Sequence, residues 1–248
     1  MTTDMIANGI AGKMVGEIVA ADYRTASVFD KYGIDFCCGG QTSIDQACRA
    51  NGVSLESVLQ DLEQVEQVPG LIERYDQWAL DFLADYIVNQ FHVYTKDMLP
   101  RISEYVETVA NVHGEAHPET RAIAALWPDV KSELAMHMQK EELLLFPYIK
   151  RLARSEEEGS APPPPPPFGS AEDLIVKMEE EHDNTGSALG KMERVSRGFE
   201  APEDACPTFR TLYAWLKEFD AVTKKHVHME NNILFPRTIE LERSLRAG

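Results

Sequence analysis

The segment His137-Met138-Gln139-Lys140-Glu141-Glu142-Leu143-Leu144-Leu145-Phe146-Pro147 is written a second time as His226-Val227-His228-Met229-Glu230-Asn231-Asn232-Ile233-Leu234-Phe235-Pro236. Histidine, glutamate, leucine, phenylalanine and proline recur at the same offsets. A histidine four residues before a glutamate puts both side chains on one face of a helix, one turn apart. Imidazole and carboxylate together suit iron, manganese or zinc. The repeat extends upstream, since His92 lies 45 residues before His137 and His182 lies 44 residues before His226. Four imidazoles, His92, His137, His182 and His226, and two carboxylates, Glu141 and Glu230, therefore form a matched set that suits two metals better than one. With both glutamates bridging, each metal has two imidazoles and two carboxylate oxygens, and positions stay open for water, dioxygen or nitric oxide. The zinc-protease pattern His-Glu-x-x-His is excluded, because glutamate stands where its second histidine would be. His228 lies about 200° round the helix from His226 and is excluded as a ligand.

Elements that could position this set follow from the hydrophobic pattern. Each half reads as helix, turn, helix, and two such pairs bury their apolar stripes by packing as a four-helix bundle, where metal sites are built from facing helices. The helices are predicted over about Trp78 to Val112, with Phe82, Tyr86, Phe91 and Leu99 among the apolar positions, Glu119 to Ala153, Ala171 to Phe199, and Pro207 to Leu245. Pro100 should kink the first. Pro147 and Pro236 should either bend their helices just past the ligands or end them. His113 and His117 read as solvated or capping groups, with a supporting role near the site as the sharper alternative for His113. The acidic run Glu179-Glu180-Glu181 reads as a solvated face. Six prolines, Pro162 to Pro167, lie in a Pro-rich connection at 155–170 that spans the bundle as an extended surface strap.

Ahead of the bundle, short helical patterns run over Val15 to Tyr32, Ile44 to Ala50, and Leu55 to Val65, the last opening on Ser54 as its cap. They predict a small helical domain over residues 1–68, with Pro69-Gly70 as the break before the bundle at 69–248. Its Gly33-Ile34-Asp35-Phe36-Cys37-Cys38-Gly39-Gly40 loop carries neighbouring thiols. Adjacent cysteines are hard to join to each other, so Cys37 and Cys38 suit thiol exchange or contact with a soft metal, with small buried packing residues as the alternative. Cys48, inside an amphipathic helix, reads as packing. Cys206 has no assigned role.

A hydrophobic fraction of 44% and a charged fraction of 26% belong to an ordinary globular chain. The formal net charge of −17 argues against nucleic acid or an anionic membrane as partner. Met1 to Lys13 has no basic stretch and no long apolar run follows it, so a cytoplasmic protein with reduced cysteines is expected.

The histidine and glutamate pattern, each repeat running on into Leu-Phe-Pro, resembles the hemerythrin-like di-iron bundle. Tyr32-Gly33-Ile34-Asp35-Phe36-Cys37-Cys38-Gly39-Gly40 is similar to the small domain preceding that bundle in the iron–sulfur cluster repair di-iron proteins, also called the repair of iron centres or ScdA family. The resemblance covers nearly the whole chain. It implies an all-α hemerythrin-like four-helix bundle behind a small helical domain, and two iron ions with His92, His137, His182 and His226 as terminal ligands and Glu141 and Glu230 as bridges. His113 matches a further family histidine outside the ligand set. The polyproline run is longer than the family pattern. The implied function is repair of iron–sulfur clusters damaged by nitric oxide or oxidants, by supplying iron, with Cys37 and Cys38 acting as thiols. Its partners are damaged iron–sulfur proteins, with nitric oxide or dioxygen as small ligands and a homodimer as one open assembly. Reduction of nitric oxide at the two irons, a binding module for oxygen, nitric oxide or iron, and a structural zinc site are the competing readings.

Overall fold

The computed structural model describes residues 12–67 and 72–247. The first residues of the chain and the Pro69-Gly70 break lie outside the described residues. Helices dominate, and no strand occurs among the described residues.

The small amino-terminal unit holds α1 (Val15–Ala21), α2 (Ala26–Lys31), α3 (Ile44–Asn51) and α4 (Leu55–Gln67). One helix was expected from Val15 to Tyr32, but Asp22 divides it. Its backbone is extended, and its carboxylate accepts the Arg24 backbone N–H at 3.0 Å, a local bond that competes with the helical ladder. Ser54 does cap α4, accepting from the Ser57 amide at 3.4 Å. Val19, Phe29, Ile34, Phe36, Ile44 and Val58 make a core of their own, and Cys48 packs within it.

Four long helices follow. The first comprises α5 (Leu80–Ile87), a turn at Val88–His92 and α6 (Val93–His113). The second comprises α7 (Pro118–Lys140), a turn at Glu141–Leu145 and α8 (Phe146–Glu158). The third is α9 (Ala171–Val195). The fourth comprises α10 (Pro207–Met229), a turn at Glu230–Leu234 and α11 (Phe235–Ala247). The three turns are π turns, in which the amides of Val93, Phe146 and Phe235 reach back to the carbonyls of Val88, Glu141 and Glu230. Such wide turns often mark functional positions in helices. They also open the ladder just ahead of Pro147 and Pro236, where proline gives up a hydrogen bond. Both helices therefore continue past those prolines instead of ending. The helix likewise runs on through Pro100.

Two further expectations shift. The third helix stops at Val195 and not Phe199, because Arg197 and Phe199 take positive φ, 55° and 58°. Phe82 is 54% exposed and lies against Trp78 at 5.0 Å. In the strap between α8 and α9, Pro163 and Pro166 are buried, one face of an extended helix with three residues per turn.

The bundle has two apolar cores, not one. Leu83, Ile87, Leu145, Ile149, Ile175 and Leu234 belong to the first. Ile102, Val106, Trp127, Val130, Leu189 and Leu216 belong to the second. Each gathers the start of some helices and the end of others, which makes neighbouring helices antiparallel. Between the two cores, at the same level on all four helices, fall His92, His137, His182 and His226.

Candidate metal centre

The six side chains singled out by the repeat meet in this middle layer. His92, Glu141 and Glu230 are 0% exposed, and His137, His182 and His226 are 2% exposed. They sort into two groups, His92, Glu141, His226 and Glu230, and His137, Glu141, His182 and Glu230, each with one donor atom per residue within 4.8 Å of the others. Both glutamates belong to both groups. The histidines pair across the repeat: the first helix with the fourth, the second with the third. His92 Nε2 lies 3.2 Å from His226 Nε2, and His137 Nε2 lies 2.9 Å from His182 Nε2. Two nitrogens bound at right angles to one cation, with bonds of about 2.1 Å, stand about 3 Å apart.

The residues fit a metal pair on a second ground. Glu141 Oε1 and Oε2 and Glu230 Oε2 are buried without a hydrogen-bond partner. Glu141 Oε2 stands 3.4 Å from His92 Nε2 and 3.3 Å from His137 Nε2, close to both but aligned with neither. Buried carboxylate oxygens normally find donors, because leaving one unpaired costs about 1–3 kcal/mol or more. A shared cation would satisfy all three. Burial disfavours charge on His137, but Glu141, then Glu181 and Glu230, outweigh it and carry its pKa up to about 10. Burial also opposes ionisation of Glu230, yet His226 and His182 hold it well below the ordinary carboxylate range.

This chain matches the Hemerythrin HHE cation binding domain over residues 83–238 and the ScdA_N domain, a domain of unknown function (DUF542), over residues 11–66. It is 32% identical over 228 residues to the iron-sulfur cluster repair protein YtfE of Yersinia pestis (strain Pestoides F), covering 92% of this chain and 97% of that one. The protein of the same name from Yersinia pseudotuberculosis serotype O:1b (strain IP 31758) is 31% identical over the same shares. The chain belongs to the YtfE family of iron–sulfur cluster repair proteins. Its cofactor is a pair of iron ions, and the buried histidine and glutamate cluster fits a carboxylate-bridged site for them.

Around the inner six, this YtfE-family protein has partners that the sequence reading missed. His92 Nδ1 donates to Glu142 at 2.7 Å, His137 Nδ1 to Glu181 at 2.9 Å, and His182 Nδ1 to Asn231 Oδ1 at 2.8 Å. These bonds fix the ring orientations with Nδ1 turned outward and Nε2 turned to the centre, so that a cation binding there would displace any Nε2 proton. Lys96 pairs with Glu142 at 2.5 Å, and Lys140 pairs with Glu181. Glu181 does not sit on a solvated face as its acidic run predicts: it bridges the second and third helices. Glu142, Glu181 and Asn231 are each the chain neighbour of a candidate ligand. The phenylalanines of the repeat also find a use, Phe146 stacking on His92 at 5.7 Å and Phe235 on His182 at 6.0 Å. Replacing Glu181 with alanine should weaken metal affinity by about 10–100-fold with the helices intact, because the imidazole loses its orienting carboxylate. Chelator competition against the unchanged protein would measure it, and equal affinities would refute the role.

His228 points away from the centre, as the helical spacing requires, but it is not idle. It is buried between Tyr23 and Phe36 of the small domain, both rings 5.9 Å away. Burial pushes its pKa down to about 4, so it sits neutral. Its neighbour Asn232 donates to the carbonyls of Phe36 at 3.3 Å and Cys37 at 3.0 Å. Thus the cysteine loop docks on the π turn that begins at Glu230. Cys37 and Cys38 are half-buried free thiols. Contact with Cys38, then burial and nearby Asp35, push the Cys37 pKa up, so Cys37 is a neutral thiol and not an activated thiolate. His113 lies away from the centre, its Nε2 3.2 Å from Cys206 Sγ, and His117 pairs with Asp204 at 3.2 Å.

Proposed function

We propose that this protein restores iron–sulfur clusters damaged by nitric oxide or oxidants, supplying iron held between the two helix pairs. In this reading His92 and His226 would hold one iron, His137 and His182 the other, and Glu141 and Glu230 would be shared between them. When bound, the iron pair supplies exchangeable ferrous ion together with open positions for small ligands. The chain's own residues do the rest. Glu142, Glu181 and Asn231 orient three imidazoles, and the two apolar cores lie on either side of the histidine layer. The reading is of a cytoplasmic protein whose partners are damaged iron–sulfur proteins. No described helix is long and apolar enough to cross a membrane.

One observation carries the reading: a cysteine-bearing domain is docked directly over the buried histidine and glutamate centre, in a chain alike over 92% of its length to proteins named for cluster repair. The test is reactivation of a nitric-oxide-damaged iron–sulfur enzyme by the iron-loaded protein. Recovery is expected with the loaded protein and not with the stripped one. If free iron and thiol restored the enzyme and the loaded protein did not, direct repair would be abandoned.

A cavity of about 550 Å³ reaching His182 supports a second reading, reduction of nitric oxide to nitrous oxide. Two nitric oxide molecules held side by side would couple by proximity, taking one electron from each ferrous ion and two protons from solvent to leave nitrous oxide and water, with an added reductant restoring the ferrous pair between turnovers. Gas analysis over several turnovers decides it, and absence of nitrous oxide removes it.

A further inference from the structure

The cavity between the small domain and the bundle is lined both by Asp35, Cys37 and Cys38 and by His182 and Gly186 of the third helix. Cys37 Sγ lies 3.2 Å from Asp35 Oδ1 and 4.0 Å from Cys38 Sγ. One donor atom from each of the three lies within 4.8 Å of the other two. Two thiolates on one tetrahedral ion, with bonds of about 2.3 Å, stand about 3.8 Å apart. A disulfide would need about 2 Å. The thiols are thus spaced as co-ligands. Asp35 Oδ1 also accepts the backbone N–H groups of Cys37 and Cys38, both at 2.9 Å, which fixes the loop that presents them. Three lysines line the cavity, Lys31, Lys217 and Lys224; Lys31 is paired with Asp61, and Lys224 with Asp30 and Asp220.

We propose that Asp35, Cys37 and Cys38 form a separate cation site, for one soft divalent ion such as ferrous iron, opening onto the cavity that reaches His182. Thiolate donors with one carboxylate favour such an ion over magnesium or calcium. The two centres are also linked through protein. Asn231 accepts from His182 Nδ1 at 2.8 Å, and its amide nitrogen lies 3.4 Å from the Cys37 carbonyl. Gly186, one turn beyond His182, leaves room beside Cys38, whose sulfur is 3.8 Å from where a Cβ would stand. The existence of the site does not rest on the repair reading; its use as a station for iron moving to or from the His137 and His182 position does. Nothing is oxidised or reduced in such a move. The ion exchanges imidazole and carboxylate donors for thiolates, and each thiol gives its proton to water as it binds.

The experiment is a cobalt(II) titration of the full chain, stripped of metal and reduced with a phosphine. It is followed by near-ultraviolet thiolate-to-cobalt absorption and by bound cobalt per chain. The unchanged protein should hold three cobalt ions and show the thiolate band. The Cys37→Ser/Cys38→Ser double variant should lose the band and one ion, keeping two. Asp35→Asn should weaken the thiolate site by about tenfold or more. A Cys206→Ser variant should change nothing. Two ions without a thiolate band in the unchanged protein, or a band that survives the double variant or follows Cys206, would overturn the site. A thiolate band in a chain whose bundle holds no cobalt would support this site and count against the metal centre proposed above.

Discussion

Replacing Glu141 or Glu230 with alanine should empty both metal positions at once, whereas replacing His92 or His226 should empty chiefly one. The glutamates belong to both groups of candidate ligands, and each histidine belongs to only one. Removing a glutamate also leaves imidazoles crowded in a layer without their counter-charge, since Glu141 lies 3.4 Å and 3.3 Å from His92 and His137. A ligand present at a hundred times its dissociation constant stabilises a fold by about 2.7 kcal/mol. For a chain of this size, about 2–4 °C of melting temperature accompanies each kcal/mol. Loss of two such ions should therefore lower the melting point by about 10 °C or more. Metal analysis and calorimetry on the four variants check it. Two retained ions in Glu230→Ala would remove that residue from the bridge.

A second large effect is expected from Gly40→Val. A Cβ on Gly40 would stand 2.1 Å from Asn232 Oδ1, and one on Gly16 would meet the same atom at 2.1 Å. Asn232 cannot swing aside freely, because its amide is bonded to the carbonyls of Phe36 and Cys37. The valine must then part the two domains, at about 2 kcal/mol or more. Hydrogen exchange should rise across the contact of Tyr23 and Phe36 with His228, with iron still held in the bundle. Unchanged protection at Phe36 and His228 would show that the close approach is not what seats the small domain.

The layer of histidines was legible from the chain because its information is local: His137 and Glu141, and His226 and Glu230, are one helical turn apart wherever the helix goes. Their pairing was not. Whether His92 faces His137 or His226 depends on how the helices are arranged around the axis, which no spacing along the chain encodes. The same holds for Glu142, Glu181 and Asn231, whose partners lie 50, 44 and 49 residues away. An acidic run looks solvated until another helix brings a histidine to it. The π turns escaped detection because repeats at fixed offsets look alike in either helical form. Helix spacing turns His228 away from the other histidines, yet its burial comes from Tyr23 and Phe36 of the small domain, which helix geometry alone could not supply.

Cross-pairing of the histidines bears on where such a chain comes from. Since each ion would draw one imidazole from either copy of the repeat, a lone ancestral copy could have caged iron only by associating with its twin about a twofold axis. Gene fusion would then have tied the twins together, with the strap carrying Pro163 and Pro166 as the splice. Expressed as separate polypeptides, the two copies should capture iron when mixed and fail to do so apart.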